Sequence, residues 1–338
     1  MSEKSILVTG GAGYIGSHVV RQLGERGESV VVLDDLSTGF REAVLFGELV
    51  VGSTSDNECL NRVFAQHEID TVMHFAAKTV VPESVADPLK YYGNNTCASR
   101  TLLEACVRNQ VRHFVFSSTA AVYGIPEGGI ASEQTPTSPI NPYGMSKLMT
   151  EAMLADVTQA HGMKHVVLRY FNVAGCDPEG RIGQSTPNAT LLTKVACEAA
   201  VGKRDGVQIF GTDYDTPDGT GVRDYIHVED LADAHLKALD YLRQGGESQT
   251  LNCGYGRGYS VRELIEMIEE VAGHTLKKTE SPRRPGDPPQ LIAAAEKIRA
   301  VLGWQPRYDD LEVIAASALR WERRLMDEQP YSVGDGAA

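Results

Sequence analysis

Residues 141–147 read NPYGMSK and place a tyrosine, Tyr143, four residues before a lysine, Lys147. In a helix, positions i and i+4 share one face. Pro142 suits a first helical turn and Asn141 suits its cap, so the spacing predicts a helix from Asn141 to roughly His161. A phenol ionises at about pH 10 and is a poor base at neutrality, but a nearby ammonium favours the phenolate. The pair therefore reads either as solvent-facing helical neighbours or as a general acid/base with its electrostatic partner. A third group that bonds both a substrate hydroxyl and the tyrosine oxygen would complete a proton-transfer set. The strand-end sequence FSSTAAVYG offers Ser117, Ser118 and Thr119 for it.

A second chemical signal lies near the N-terminus. In LVTGGAGYIGSH, residues 7–18, Gly10, Gly13 and Gly16 stand three apart, after a valine-rich run and before a helical stretch through Leu23. Glycine lets the chain turn sharply and lets backbone N–H groups approach a pyrophosphate. The next apolar run, VVVLDD, ends in Asp34 and Asp35. A carboxylate there can accept from an adenosine ribose and repels a 2′-phosphate, which is the NAD signature. The plainer reading of the two aspartates is a strand-end cap. An oxidised nicotinamide beside Tyr143 would favour the phenolate, as an ammonium does.

These residues must be positioned by a larger frame. Short apolar runs at Ile6–Thr9, Ser29–Asp34, Leu49–Val51, Thr71–Ala76, His113–Ser118, His165–Tyr170 and Gln208–Gly211 alternate with helical patterns. Several lack polar alternation, as strands buried on both faces do. The rhythm predicts an α/β fold: a Rossmann-type, doubly wound parallel sheet with a smaller C-terminal substrate domain. We expect residues 1–170 to form the first domain, with a returning segment near 208–240. Residues 171–325 supply most of the second, and 326–338 form a flexible tail.

Composition narrows the function. The chain has 338 residues and a formal net charge of −13, which argues against nucleic acid and anionic membrane as partners. Any anionic ligand must then be met by local cations. The six cysteines show no CxxC or zinc spacing, so no metal site is expected and a reducing compartment is. MSEKSILVTGG lacks the apolar run of a signal peptide, and no stretch reaches transmembrane length; the cytoplasm is the expected location.

The glycine triplet, Asp34, the SST run and Tyr143-x-x-x-Lys147 together resemble the extended short-chain dehydrogenase/reductase family. HFAAKTVVPESVADPLKYYGNN, LRYFNVAG, GTDYDTPDGTGVRDYIHVEDLADAH and RRPGDPP are similar to its UDP-sugar 4-epimerase branch, across about residues 4–320. The resemblance implies C4 epimerisation of UDP-glucose and UDP-galactose through a 4-keto sugar, with bound NAD, in a homodimer. It implies that Gly10, Gly13, Tyr14, Ile15 and Gly16 hold the pyrophosphate end and Asp34 and Asp35 the ribose. Phe75, Ala76, Asn94 and Tyr170 adjoin the cofactor. Tyr143 is then the acid/base, Lys147 bonds the nicotinamide ribose, and Thr119 is the catalytic hydroxyl beside Ser118. Thr119, Asn172, Leu192, Phe210, Arg223, Tyr225, Arg284, Asp287 and Leu291 meet the UDP-sugar. The dimer is expected through helices near 90–110 and from Asn141.

Read from the residues alone, arginines suit a diphosphate, and Asp287 suits a ribose hydroxyl. Arg223 could instead pair with Asp224, and Arg283–Arg284 could be an exposed basic pair. The chain departs from the family at three places. Ser53 replaces a strand-end aspartate, with Asp56 as a substitute three residues on. Thr79 stands where some members have lysine, with Lys78 facing solvent instead. Leu191 replaces an asparagine or histidine. Leu291 is intermediate in size at a position that in the family separates N-acetylated from plain sugars. UDP-N-acetylglucosamine, a UDP-uronic acid or a UDP-pentose are therefore alternative substrates. A 4,6-dehydratase is disfavoured because Ala120 and Ala121 follow Thr119. A non-catalytic NAD-sensing regulator is disfavoured by the intact Tyr143 and Lys147.

Overall fold

The computed structural model describes residues 4–187, 189–284, 286–328 and 331. The strands are β1 (Ser5–Thr9), β2 (Ser29–Asp34), β3 (Glu48–Val51), β4 (Ile69–His74), β5 (His113–Thr119), β6 (Ile130–Ala131) and β7 (Lys164–Tyr170). They continue with β8 (Asn172–Ala174), β9 (Val207–Phe210), β10 (Val222–His227), β11 (Gln249–Cys253), β12 (Gly258–Ser260), β13 (Lys278–Ser281) and β14 (Gln290–Ala293). The helices are α1 (Tyr14–Glu25), α2 (Asn57–Gln66), α3 (Val81–Ala86), α4 (Pro88–Tyr91), α5 (Ala98–Arg108) and α6 (Pro142–His161). After them come α7 (Leu192–Ala200), α8 (Val228–Arg243), α9 (Val261–Ala272), α10 (Glu296–Leu302) and α11 (Leu311–Asp327).

Valine- and isoleucine-rich runs covered on both faces favour a parallel sheet flanked by helices. Seven such strands do so in the order β11-β7-β5-β4-β1-β2-β3, all parallel. Strand order reverses direction at β1, where β1 lies between β2 and β4, and such a switch point opens a crevice at the carboxyl ends of the strands. Register aligns Thr9 with Leu33 and His74, so the glycine loop, Asp34 and Phe75 all leave the sheet at that edge. Apolar side chains of β1, β2 and α1 pack with those of α8 in the larger core, and a second cluster fills the face beneath α2 and α5.

Two assignments differ from the expectation. The run at 208–211 forms β9, but it pairs with β13 in a separate two-stranded sheet. The outer strand of the main sheet is β11, which follows α8 and lies beside β7. β7 already has β5 and β11 on its two edges, and the 171–222 segment carries β9 into the layer over the sheet edge. That layer also holds β12-β10-β14-β6, with β8 on β10. Of the expected tail, Met326 and Asp327 end α11 and Glu328 caps it. Tyr331 is buried, stacked on Phe40 with ring centroids 4.7 Å apart. The rest of 326–338 lies outside the described residues. Among the described residues, no helix is long and apolar enough to cross a membrane.

Candidate active site

A cavity of about 670 Å³ occupies the crevice. Its walls come from the glycine loop, the ends of β2, β4, β5 and β7, the start of α6, and the overlying layer.

At one end the chain turns through Gly10 at φ +72°, and its N–H donates to Leu33 O at 2.9 Å. A Cβ on Gly16 would stand 2.2 Å from Gly10 O, so glycine there brings α1 against the loop. Gly13 differs: a Cβ there meets only Gly10 O, at 3.3 Å. The space beside Gly13 is cavity, which marks a cradle kept open for a ligand. Gly13 caps α1 without a side chain, and no acidic residue occupies the first turn. The free N–H groups and the dipole of α1 therefore face the cavity, an arrangement suited to a phosphate. Asp34 lines the same end. Its Oδ2 accepts from Ala12 N at 2.9 Å and its Oδ1 from Leu36 N at 2.8 Å. Burial raises the Asp34 carboxyl above its usual range, and those two N–H groups oppose the rise. The donor cradle and the ribose-facing acceptor fit an NAD-type dinucleotide. Tyr14, Ile15, Asp35, Phe75, Ala76, Asn94 and Tyr170 also line the cavity.

The expected departures are resolved by position. Ser53 lines the cavity, but Asp56 caps α2, accepting from Glu58 N and Cys59 N, and so is not available as its substitute. Lys78 does not point away: it lines the cavity and its Nζ donates to Ser37 Oγ at 3.1 Å. Asn95, which the sequence reading passed over beside Asn94, holds the Lys78 backbone. Its Oδ1 accepts from Lys78 N at 2.8 Å and its Nδ2 donates to Lys78 O at 3.0 Å. Both asparagines sit in a π-helical turn, Tyr92–Cys97, a local widening often found at functional sites.

At the other end Asn141 accepts from Gly144 N at 2.9 Å and starts α6 as expected. The buried face of α6 is polar: Tyr143, Lys147, Thr150, Glu151 and Thr158. Tyr143 and Thr119 both line the cavity. Burial is the main reason the Tyr143 phenol stands above its ordinary value; Tyr170 and Tyr91 add to the rise and Thr119 opposes it. Lys147 lies under the cavity floor and donates to Ser117 O at 2.8 Å, not to the phenol. Burial lowers its ammonium to about 7, and Glu151 resists that shift. The structure turns Ser118 away: its hydroxyl donates to Glu151 Oε1 at 2.5 Å and does not reach the cavity. The pleat explains this, since adjacent residues of a strand point to opposite faces.

In the overlying layer, Asn172, Arg223, Asp287 and Leu291 line the cavity, and Arg223 and Leu291 are register partners on β10 and β14. Arg223 makes no ion pair with Asp224. Its Nη1 donates to Val222 O at 2.8 Å, while Asp224 accepts from the N–H groups of Tyr255, Gly256 and Ala293. The guanidinium is thus left for an anion. Arg284 stacks at 3.7 Å on Phe210, and Arg283 stacks on Tyr214 and pairs with Asp213, so the two do not form a free basic pair. Arg284, Phe210, Tyr225 and Leu192 are not in the cavity wall; Leu191, not Leu192, is. Chemically, the cavity joins a phosphate cradle, a phenol near a threonine hydroxyl, and a guanidinium that makes no ion pair among the described residues. Among the described residues no acidic, histidine or cysteine cluster could hold a metal.

Comparison with known proteins agrees with this arrangement. The family model described as "NAD dependent epimerase/dehydratase family" matches residues 6–254. A UDP-glucose 4-epimerase of Azospirillum brasilense is 59% identical over 334 residues, covering 98% of this chain and 95% of that one. A solved UDP-Glc/GlcNAc 4-epimerase from Campylobacter jejuni is 49% identical with a TM-score of 0.83, covering 96% of this chain and 100% of its own. The UDP-glucose 4-epimerase of Bifidobacterium longum, solved with NAD+ and UDP, is 39% identical with a TM-score of 0.90, covering 95% and 98%. A family model spanning most of the chain and relatives matching nearly end to end place this chain in the NAD dependent epimerase/dehydratase family.

Proposed function

We propose that the protein is a UDP-glucose 4-epimerase that interconverts UDP-glucose and UDP-galactose, a step of galactose metabolism. The observation that carries the reading is one cavity holding a phosphate cradle with Asp34 at one end, Tyr143 with Thr119 in the middle, and the unpaired Arg223 guanidinium in its wall. When bound, NAD supplies the hydride acceptor and donor for C4 of the sugar. Gly10, Gly13, Gly16 and the start of α1 hold its pyrophosphate; Asp34 accepts from its ribose. Tyr143 takes the proton of the 4-hydroxyl and returns it to that oxygen once the sugar has turned its other face. Thr119 orients that hydroxyl and the phenol. Arg223 and Asp287 anchor the UDP while the sugar turns, so remote binding energy serves the reacting centre. The reaction would be redox-neutral overall. We also place the protein in the cytoplasm as a homodimer through α5, α6 and their neighbours. The six unpaired cysteines and the exposed apolar Val85, Leu89 and Met149 on or beside those helices support that placement.

The test is purified protein with UDP-galactose and no added cofactor, followed by NMR of the anomeric protons. The expected result is UDP-glucose at the equilibrium ratio, from cofactor carried through purification. No conversion, even with added NAD, overturns the reading.

Leu291 favours a second substrate. It lines the cavity opposite Arg223 in register and leaves more room than a tyrosine would. UDP-N-acetylglucosamine is then also accepted, and Leu291→Tyr should lower its rate relative to UDP-glucose by at least about tenfold, the scale of one misfitted group. An unchanged ratio of the two rates removes this role.

A further inference from the structure

Under the cavity floor lies a row of buried charged groups with no part in the reaction as described. α6 carries Tyr143, Lys147 and Glu151 at successive i, i+4 positions, so all three face the sheet. Glu151 is buried. Its Oε1 accepts from Ser118 Oγ at 2.5 Å, and its Oε2 accepts from Arg169 Nη2 at 2.5 Å. Ser118 and Arg169 are register partners on β5 and β7. Arg169 also donates to the Tyr123 hydroxyl at 3.0 Å, which donates to Asn252 Oδ1 at 2.7 Å. One carboxylate thus ties the catalytic helix to the two strands whose next residues, Thr119 and Tyr170, line the cavity.

We propose that Glu151 is a positioning residue: held by Arg169 and Ser118, it sets a negative charge one turn from Lys147 under the cavity and fixes the strand end that presents Thr119. Its kinetic consequence rests on the epimerase reading; its electrostatic consequence does not.

Lys147 is almost fully enclosed, and burial disfavours an ammonium. The groups around it come from several elements. Its own helix supplies Tyr143 and Glu151, one turn to either side. β4 supplies His74, which burial lowers to about 3 and whose ring nitrogens bond Thr9 and Ser99, so it is neutral. β5 supplies the Phe116 ring, 4.9 Å from Nζ, and the Ser117 carbonyl. Among these, Glu151 is the one anion, and it opposes the effect of burial on Lys147. Arg169 is the other cation, and Glu151 neutralises it. Replacing the carboxylate by an amide removes the opposing charge, which favours the neutral amine.

The experiment uses Glu151→Gln in the full chain. The Lys147 titration is read by NMR of protein labelled with 13C at lysine Cε, with Lys147→Arg to assign the signal. The midpoint should fall by at least about one pH unit from the native value. Glu151→Asp, which keeps the charge, should restore most of it. In turnover of UDP-galactose, the alkaline limb of the kcat profile should move down with the midpoint, while KM changes little. A native midpoint in Glu151→Gln, or a loss of kcat equal at every pH, overturns the proposal. If Glu151→Gln alone does not fold, Glu151→Gln with Arg169→Met removes the buried charges as a pair. Glu151 is one turn from Lys147 and Arg169 reaches it through Glu151, so the midpoint should still fall; a native value there also overturns the proposal. Native protein that leaves UDP-galactose unchanged would remove the functional reading, and the titration would still decide the role of Glu151.

Discussion

Tyr143→Phe should lower kcat by about 10²–10⁴-fold, the range of a positioned acid/base, and leave the fold intact. The expectation follows from where the hydroxyl sits. The ring packs edge-on to Tyr91 with centroids 6.4 Å apart, and phenylalanine keeps that contact. Thr119 keeps a partner of its own when the phenol is gone, since its Oγ1 accepts from Ala121 N at 3.1 Å. Burial holds the resting phenol above its ordinary value, so the substitution removes a neutral group and no buried charge. Turnover of UDP-galactose measured beside the melting temperature separates the two effects. A variant that keeps more than a tenth of native kcat would show that the proton leaves by another group. A lost fold would show that the hydroxyl is structural.

The second large effect is expected at the glycine loop. Gly16→Ala should strip the protein of its co-purified dinucleotide and cost about 1–3 kcal/mol of stability, the usual range for overpacking. The new Cβ would lie 2.2 Å from Gly10 O and 2.9 Å from both Gly10 C and Gly11 Cα. All three are backbone atoms. Gly10 is itself held by its bond to Leu33 O, so the loop cannot yield and α1 must move away from it. Gly13→Ala is the informative contrast. Its Cβ has one neighbour, Gly10 O at 3.3 Å, so stability should stay close to native while nucleotide content still falls. Chromatography of the nucleotide released on denaturation, beside thermal melts, reads both. Equal nucleotide content in native protein and both variants would place the phosphate elsewhere.

What could be read from the chain alone was local in kind. Gly10 and Gly16 have to be glycines because of a turn and a contact made within a few residues, and Gly13 completes their spacing. Asn141, Pro142, Tyr143 and Lys147 lie on one helix, and helical spacing determines that they start it and share its face. The runs of valine mark buried strands wherever they pair. From these the α/β class, the glycine cradle and the shared helix face of Tyr143 and Lys147 were all legible.

The tertiary structure decided everything that depends on which distant residue lies opposite. FSST holds three adjacent hydroxyls, and composition does not rank them. The pairing of β5 with β7 turns Ser118 toward Arg169 and Glu151 and leaves Thr119 for the cavity. Arg223 and Asp224 look like an ion pair in sequence, yet alternate strand faces separate them, and Asp224 is taken by three backbone N–H groups. The outer sheet position went to β11 and not to β9, because sheet order depends on where long connections carry a strand and not on the strand's own residues. Glu151 gave no signal: its importance comes from Arg169, eighteen positions on and buried with it only in the folded chain. Periodicity along the chain encodes elements, whereas partners, facing and burial arise from contacts between residues far apart in sequence, and those exist only once the chain has folded.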